Sequence, residues 1–491
     1  MTLYTRWMSD QLSVFNDCRT CLNRLWNAKE LLAAFPLPGW TSSDIAGEKV
    51  DEFLYRGFLA HGDPFLRQAR GAYAVAYQDE DTQCLFLLRD WAGEMPLHYM
   101  MTERRVTVAN SLRHLQSAEP AYEYRWVRAL PHARHQIFGL PSLDPVDRVI
   151  PEPAAAYDQM TAAILERSRG SSSVERILEE ATCAFRCGLE QRLQTAPSRA
   201  HVAVLLSGGL DSFAVALSLV DLGVPIKTYT LTLDPSEGDG QRAVELAQAL
   251  CVEHETVRIT KRQVLARFES AIRAAEIYHL YNVYCAVGIV LLADHIRQAG
   301  ESAVFCGEGM NELVGDYTDW VVEQPGAGRT VLQCVPRRPL NEVSGRVQYF
   351  WGSPLETGKG NLQLGTGLAK HGVSRMVKPM LEQDITLECP YLEPGFAKRI
   401  LSLNGAEIHE LGGKPGLMEH LMDGAIRRRS IDRRLFRDSF KTRLQDGGAT
   451  NITTLLLGAG KGQQRAIEIF NAEFKSSLDP ELDARRIVRC H

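Results

Sequence analysis

The chain has 491 residues, a length that predicts about two to four domains and a large hydrophobic core. Hydrophobic residues make up 45% and charged residues 23%, which excludes a disordered, a collagen-like and a supercharged protein. The net charge of −5 predicts no broad basic surface, and therefore neither nucleic acid nor a membrane as a partner. The N-terminal sequence lacks an apolar signal-peptide core, and the eleven cysteines follow no disulfide pattern, so we expect a cytoplasmic protein.

Strands and short helices are predicted for the first part of the chain. Gly71–Gln78 and Cys84–Arg89 are separated by a polar turn, as in a β-hairpin, and Tyr99–Asn110 is expected to contain a second pair of strands. The small and polar stretch Arg169–Ser173 has the composition of a linker. We therefore predict two domains, at residues 1–168 and 169–491.

Strands and helices alternate after this linker. The predicted helices are Val174–Thr195, Ser212–Leu222 and Gln241–Leu250, and the predicted strands are His201–Leu206, Ile226–Leu233 and His254–Ile259. This alternation is typical of a doubly wound α/β domain with a parallel sheet. From Lys261 onward the sequence is expected to be largely helical, and the apolar stretch Tyr278–Leu292 is interpreted as a buried helix.

The segment Ser207-Gly208-Gly209-Leu210-Asp211-Ser212 lies between the first of these strands and its helix. Two glycines permit positive φ and a close approach of the backbone to a ligand. The N-terminus of the following helix attracts anions, and the two serines add hydroxyl donors. An aspartate in such a loop suits a Mg²⁺ ion that bridges the carboxylate to a phosphate. The loop therefore predicts a site for a phosphate chain, although it lacks the lysine of a Walker-type loop.

This loop resembles the pyrophosphate loop of the N-type ATP pyrophosphatases, which include asparagine synthetase and β-lactam synthetase. Phe305–Tyr317 is similar to the Gly-Glu-Gly-x-Asp-Glu-Leu-x-Gly-Gly-Tyr segment of asparagine synthetases, and Lys441–Gly448 is similar to their Lys-x-x-x-x-Asp-Gly segment. Glu388–Glu393 resembles the Arg-x-Pro-Phe-Leu-Asp block, with Glu388 in place of the usual arginine. The resemblance implies cleavage of ATP between the α and β phosphates and an adenylated substrate.

The N-terminal part of the chain resembles class II glutamine amidotransferase domains. The similar segments are Leu25–Leu31, Gly71–Asp79 and Arg89–Tyr99. The resemblance implies an Ntn-hydrolase-like αββα sandwich, here truncated. Active members use an N-terminal cysteine and an Asn-Gly-Glu segment, whereas this chain has Thr2 at position 2 and lacks that segment. We therefore expect a scaffold domain without glutaminase activity.

Family motifs also imply roles for particular residues toward ATP and Mg²⁺. Lys441 is the expected cation for the pyrophosphate and the oxyanion, and Glu308 is expected to orient the nucleophile, to act as its base or simply to cap a helix near Met310. Metal ligands are expected at Asp211, at Asn311, where the family has aspartate, and at Glu312. The expected nucleotide-binding residues are Leu206, Ser207, Gly208, Gly209, Leu210, Asp211, Ser212, Leu231 and Gly307.

The leading hypothesis for function is an ATP-dependent, AMP-forming ligase that joins a substrate carboxylate to an amine without glutamine. A small-molecule or peptide carboxylate and an amine are thus the expected partners, in a β-lactam synthetase-like biosynthetic reaction. Three alternatives stay open: a lasso-peptide-type macrocyclase, asparagine-synthetase-like amidation with ammonia, and a catalytically idle scaffold. Thr318–Gly372 is Gly/Pro-rich at points and is interpreted as a substrate lid or a surface loop. A homodimer is left open.

Overall fold

A computed structural model describes most of the chain in two compact units. The described ranges are 3–5, 13–17, 23–45, 49–81, 84–102, 105–130, 134–139, 173–195, 201–233, 238–314, 319–324, 328–333, 346–349, 354–356, 373–403, 405–437 and 462–478. The first unit contains the described residues up to 160 together with 470–478, and the second contains those between 161 and 469. Within these ranges, none of the helices has the length and apolar character needed to span a membrane.

The described residues of the first unit up to 160 form mainly antiparallel sheets and four α-helices. Its strands are Leu3–Thr5, Ser13–Asp17, Arg24–Leu25, Gly71–Ala72, Ala74–Asp79, Cys84–Arg89, His98–Thr102, Arg105–Ala109, Arg128–Ala129 and Arg134–Gly139. Its helices are Ala28–Ala34, Lys49–His61, Asp63–Gln68 and Leu112–Ala118. Both predicted strand pairs are confirmed, because Ala74–Asp79 pairs with Cys84–Arg89 and His98–Thr102 pairs with Arg105–Ala109. Among the described strands of this first unit, only Ser13–Asp17 and Arg105–Ala109 pair in parallel.

A buried arginine and aspartate organise the loop after Cys84–Arg89. The Arg89 guanidinium donates to the carbonyl oxygens of Met95, Leu130 and Gly93 at 2.7, 3.0 and 2.9 Å. The Asp90 carboxylate accepts the backbone N–H groups of the same loop. Burial raises the pKa of Asp90, and these backbone hydrogen bonds oppose that effect. The Arg-Asp pair of this segment is therefore structural, since it closes the loop on itself.

The second unit is built on a five-stranded parallel sheet. The strand order across the sheet is Glu253–Arg258, Ile226–Thr232, Val202–Leu205, Ala303–Phe305 and Thr386–Glu388. In chain order this is 3-2-1-4-5, so the direction of winding reverses between the first and fourth strands. Ligands of open α/β sheets bind at this switch point, at the carboxyl ends of the strands.

Helices account for most of the remaining second unit. They are Val174–Thr195, Leu210–Asp221, Gly238–Leu250, Lys261–Ala266, Phe268–Ala275, Leu280–Gln298, Met310–Val314, Val373–Glu382, Pro394–Ser402, Gly405–Glu410, Gly413–Arg429 and Arg434–Arg437. A further helix, Gly462–Phe474, begins among the residues of this unit. The three strands and three helices predicted between residues 174 and 259 are confirmed, with small shifts at their ends. The predicted buried helix at Tyr278–Leu292 is confirmed as Leu280–Gln298.

The expectation of a largely helical chain after Lys261 is incomplete. Asp319–Gln324, Gly328–Gln333, Arg346–Tyr349 and Pro354–Glu356 form an antiparallel four-stranded sheet. These strands lie within the stretch interpreted as a lid or surface loop, and β-branched residues such as Val321 and Val331 favour them. The stretch therefore contains a β-sheet that the sequence interpretation did not include.

A fully buried ion pair explains the departure at Glu388. Arg192, on the helix Val174–Thr195, donates from Nη1 to Glu388 Oε2 at 2.9 Å, and both side chains are 0% exposed. Glu388 ends the fifth strand of the parallel sheet. A carboxylate at this position is satisfied by a cation from a helix distant in sequence, so the departure from arginine has a structural compensation.

We expect Arg192→Met to reduce the free energy of unfolding by about 3–5 kcal/mol, because it leaves a buried carboxylate without its cation. The double variant Arg192→Met/Glu388→Leu should recover much of that loss, since no buried charge then remains. Urea unfolding measures both, with Arg176→Met as the control, because the pair of Arg176 with Glu180 is exposed. Equal losses in the single and double variants would contradict this role.

Candidate nucleotide site

The predicted pyrophosphate loop forms a tight turn at the start of the helix Leu210–Asp221. Gly208 has φ of +78°, a conformation that favours glycine, and Gly209 is the N-cap. Inside the turn, Ser207 N–H donates to Ser212 Oγ at 3.1 Å, and that hydroxyl donates to the Gly209 carbonyl oxygen, also at 3.1 Å. The serines thus stabilise the turn at the amino end of a twelve-residue helix, where backbone N–H groups favour an anion.

The turn after the fourth strand packs directly against this loop. A Cβ atom on Gly307 would lie 2.5 Å from Ser212 N and 2.7 Å from the Asp211 carbonyl carbon. Gly309, with φ of +109°, approaches Leu392 in the same way, since its Cβ would lie 2.7 Å from Leu392 Cδ2. Two glycines of the Phe305–Tyr317 segment are therefore required by close approach.

Lys414 joins the loop aspartate to the asparagine of the second motif. Its Nζ donates to Asp211 Oδ2 at 2.7 Å and also donates to Asn311 Oδ1. Lys414 and Asp211 are 7% and 8% exposed, so the ion pair is largely removed from water. The other carboxylate oxygen, Asp211 Oδ1, is buried and has no hydrogen-bond partner among the described residues. Asp211 and Asn311 are thus brought together through a lysine that the sequence analysis missed, whereas their predicted role as metal ligands stays a prediction.

Tyr391 forms a hydrogen bond with the backbone of the loop. Its hydroxyl donates to the Asp211 carbonyl oxygen at 2.8 Å, and its side chain is fully buried. Burial raises the pKa of Tyr391 well above its usual value, and the negative charge of Asp211 adds to that shift. The phenol therefore stays protonated and keeps its role as a donor. This contact gives the segment Glu388–Glu393 a direct connection to the loop.

Glu308 forms a second cluster beside this turn. Arg375 donates to Glu308 Oε1 at 3.2 Å and to Asn282 Oδ1 at 3.1 Å. Both members of the ion pair are about one sixth exposed, at 17% for Arg375 and 16% for Glu308. A helix does begin at Met310, as expected. Arg375 fixes the orientation of the Glu308 carboxylate, and this positioning residue was also missed at the level of sequence.

The remaining predicted residues are distributed as follows. Leu206 is fully buried at the end of its strand, and Leu231, in the adjacent strand, is half-buried beside Gly288. Lys441 and Thr2 lie outside the described residues, and so does the side chain of Glu312. Their roles therefore stay predictions. No group of three or more His, Cys, Asp or Glu side chains that could hold a metal ion occurs within the described ranges.

Comparisons with known proteins agree with this arrangement. A family model described as asparagine synthase matches residues 190–362, and one described as glutamine amidotransferase domain matches residues 23–117. The chain is thus a mixed α/β protein whose second unit carries the predicted pyrophosphate loop at the switch point of its parallel sheet. The chain is an asparagine synthetase-like family member, with an amidotransferase-like domain before its synthetase-like domain.

Individual relatives are distant. The glutamine-hydrolysing asparagine synthetase of Mus musculus is 25% identical over 314 residues, and that of Pongo abelii is 27% identical over 321 residues. Each of these alignments covers 60% of this chain and 54% of the relative. A Penicillium rubens protein named amidase chyE is 26% identical over 290 residues, which cover 54% of this chain and 43% of that protein. The chain therefore spans about half the length of the relatives it matches.

We expect Gly307→Ala to destabilise the second unit by about 1–3 kcal/mol, because the added methyl group would overlap the loop backbone. Gly424→Ala is a matched control, since its Cβ would meet only the flexible end of Arg428 within a helix. Differential scanning calorimetry measures both variants. A Gly307→Ala protein that melts like the control would show that the turn does not pack on the loop.

Proposed function

We propose that this protein is an ATP-dependent carbon–nitrogen ligase that adenylates a substrate carboxylate and joins it to an amine. The main support for this proposal is the position of the loop Ser207–Ser212 at the switch point of the parallel sheet. There a positive-φ glycine and the N-terminus of the helix Leu210–Asp221 present backbone N–H groups that favour a phosphate chain. Similarity to asparagine synthetases and to a protein named amidase supports amide-bond formation as the reaction class.

In the proposed reaction, a carboxylate oxygen of the substrate attacks the α-phosphorus of ATP, and the bond to the β-phosphate breaks. The loop N–H groups and the Lys414 ammonium hold the departing pyrophosphate, so its negative charge is neutralised where it develops. The amine then attacks the acyl carbon, and AMP leaves. Lys441 is proposed to stabilise the oxyanion of that step, and Glu308, fixed by Arg375, is proposed to orient the amine.

Mg²⁺ is proposed to accompany the nucleotide. The buried and unsatisfied Asp211 Oδ1 is a suitable oxygen donor for such an ion, which would supply charge neutralisation of the phosphates. Asn311 Oδ1 accepts a hydrogen bond from Lys414, and it is therefore already engaged. Asp211 is the residue of the described set that fits the metal best.

We propose that the nitrogen donor is not glutamine. Aligning Leu25–Leu31 with the family pattern Asn-Gly-Glu-Ile-Tyr-Asn places Asn23 at the glycine. Asn23 is 3% exposed, donates to Asp51 Oδ1 at 2.7 Å, and both donates to and accepts from the backbone of Ala74. Its side chain is therefore part of the core, which supports a scaffold role for this domain. The nitrogen would instead come from one of three sources: an amine on a second substrate, an amine of the same molecule, which closes a lactam, or free ammonia. This favours a biosynthetic, β-lactam synthetase-like role.

The reaction predicts exchange of labelled pyrophosphate into ATP when a carboxylate substrate is present and the amine is withheld. We expect exchange with pools of amino acids, small carboxylic acids or peptides, followed by AMP formation when an amine or ammonia is added. Asp211→Asn should lower the exchange rate at least about 100-fold, because it removes the carboxylate that is proposed to bind the Mg²⁺ ion of the phosphate chain. Glu179→Gln, an exposed position on the helix Val174–Thr195, is the control.

The products separate the alternatives. ADP in place of AMP would contradict adenylation, and nucleotide binding without turnover on any pool would favour the scaffold hypothesis. A peptide product in which the N-terminal amine is joined to a side-chain carboxylate of the same chain would indicate a lasso-peptide-type macrocyclase, whereas amidation by ammonia alone would indicate asparagine-synthetase-like chemistry. Turnover that requires glutamine would contradict the proposed nitrogen source.

Lys441→Met should abolish product formation while ATP binding changes less than about threefold, because the proposed role of Lys441 is in the transition state. Single-turnover quench experiments measure the chemical step, and isothermal titration calorimetry measures ATP binding. Lys261→Met, which removes an exposed lysine from the same unit, is the control. Equal losses of binding and turnover would show that Lys441 serves only in nucleotide binding.

A further inference from the structure

Lys414 occupies the position between two oxygen atoms where a divalent cation would be chelated. Its Nζ lies within hydrogen-bonding distance of Asp211 Oδ2 and Asn311 Oδ1. A Mg²⁺ ion bound to the same two oxygens requires distances of about 2.0–2.1 Å to each. The ammonium group and the ion would then compete for one position.

Electrostatic balance favours the ammonium group at this position. Two facing carboxylates would carry two negative charges and would need a divalent ion, whereas Asp211 with Asn311 carries one. A single lysine neutralises that charge, and the amide oxygen of Asn311 satisfies a second ammonium hydrogen. The replacement of aspartate by asparagine at 311 is therefore matched to a monovalent resident cation.

The backbone around Lys414 is built to place it there. Lys414 is the second residue of the helix Gly413–Arg429, and Gly412 and Gly413 enter that helix with φ of +90° and +73°. A Cβ on Gly416 would lie 1.7 Å from the Leu411 carbonyl oxygen, so the turn is tight. A cation in the first turn of a helix is disfavoured by the helix dipole, so its buried position depends on the carboxylate it meets.

We infer that Lys414 is the resident cation of this site and takes the place of a divalent ion between residues 211 and 311. Of the side-chain oxygens of Asp211 and Asn311, only Asp211 Oδ1 then remains available to a divalent ion. The inference about Lys414 depends on the proposed function in one respect, which is that the ligand of the loop is the phosphate chain of ATP. Its test needs neither nucleotide nor turnover.

The test is Mn²⁺ binding to the nucleotide-free protein, measured by electron paramagnetic resonance. The wild-type chain should bind Mn²⁺ weakly, and Asn311→Asp/Lys414→Met should bind one ion at least about tenfold more tightly, because it presents two carboxylates without the ammonium group. Adding Asp211→Asn to that double variant should remove the gain. Gln298→Glu, which adds a negative charge at an exposed helix end, should not reproduce the gain.

Equal and tight Mn²⁺ binding by wild type and double variant would overturn the inference, as would a folded double variant without any gain. A second measurement covers variants that fail to fold. Pyrophosphate should bind the wild-type chain in the presence of EDTA, and Lys414→Arg should retain this binding better than Lys414→Met. If the Mn²⁺ results are as expected but no pyrophosphate exchange occurs, the ligase proposal is contradicted and the inference about Lys414 stands. If exchange occurs but the double variant gains no Mn²⁺ affinity, the inference about Lys414 is contradicted and the ligase proposal stands.

Discussion

The second unit depends on the close packing of two turns at the carboxyl edge of its parallel sheet. Strands one and four are neighbours, so the loop after the first and the turn after the fourth must share one small volume. Gly307 makes that possible because it has no Cβ to meet the loop backbone. On the same loop, Asp211 accepts the hydrogen bond from Tyr391 at its carbonyl oxygen and the one from Lys414 at its carboxylate.

Local signals in the sequence predicted the sheet and the loop. The apolar strand, the Gly-Gly pair and the amphipathic helices between residues 174 and 259 each act within a few residues, so their structure could be read from short windows. The segment Phe305–Tyr317 was singled out by its resemblance to a motif of asparagine synthetases. The antiparallel strands after residue 318 could not be predicted with the same clarity, because they are short and β-branched residues such as Val321 and Val331 lie near several glycines and prolines.

Long-range partners could not be predicted in this way. Lys414 is separated from Asp211 by 203 residues, and Arg192 from Glu388 by 196. Such pairs are determined by how the helices pack on the sheet, and a lone lysine or arginine carries no local sign of its partner. The pairing of Arg375 with Glu308 is of the same kind. The sequence therefore located the site and its loop, whereas the structure supplied its charge balance.

The buried ion pair between Arg192 and Glu388 has a consequence for the substitutions that the second unit can accept. A single change of Glu388 to the arginine of the family motif would place two guanidinium groups in one dry pocket, so this change cannot be made alone. Arginine at position 388 is therefore compatible only with an uncharged or acidic residue at position 192. A chimera of this chain with a protein that has arginine at 388 is thus expected to fold only when both positions come from the same parent.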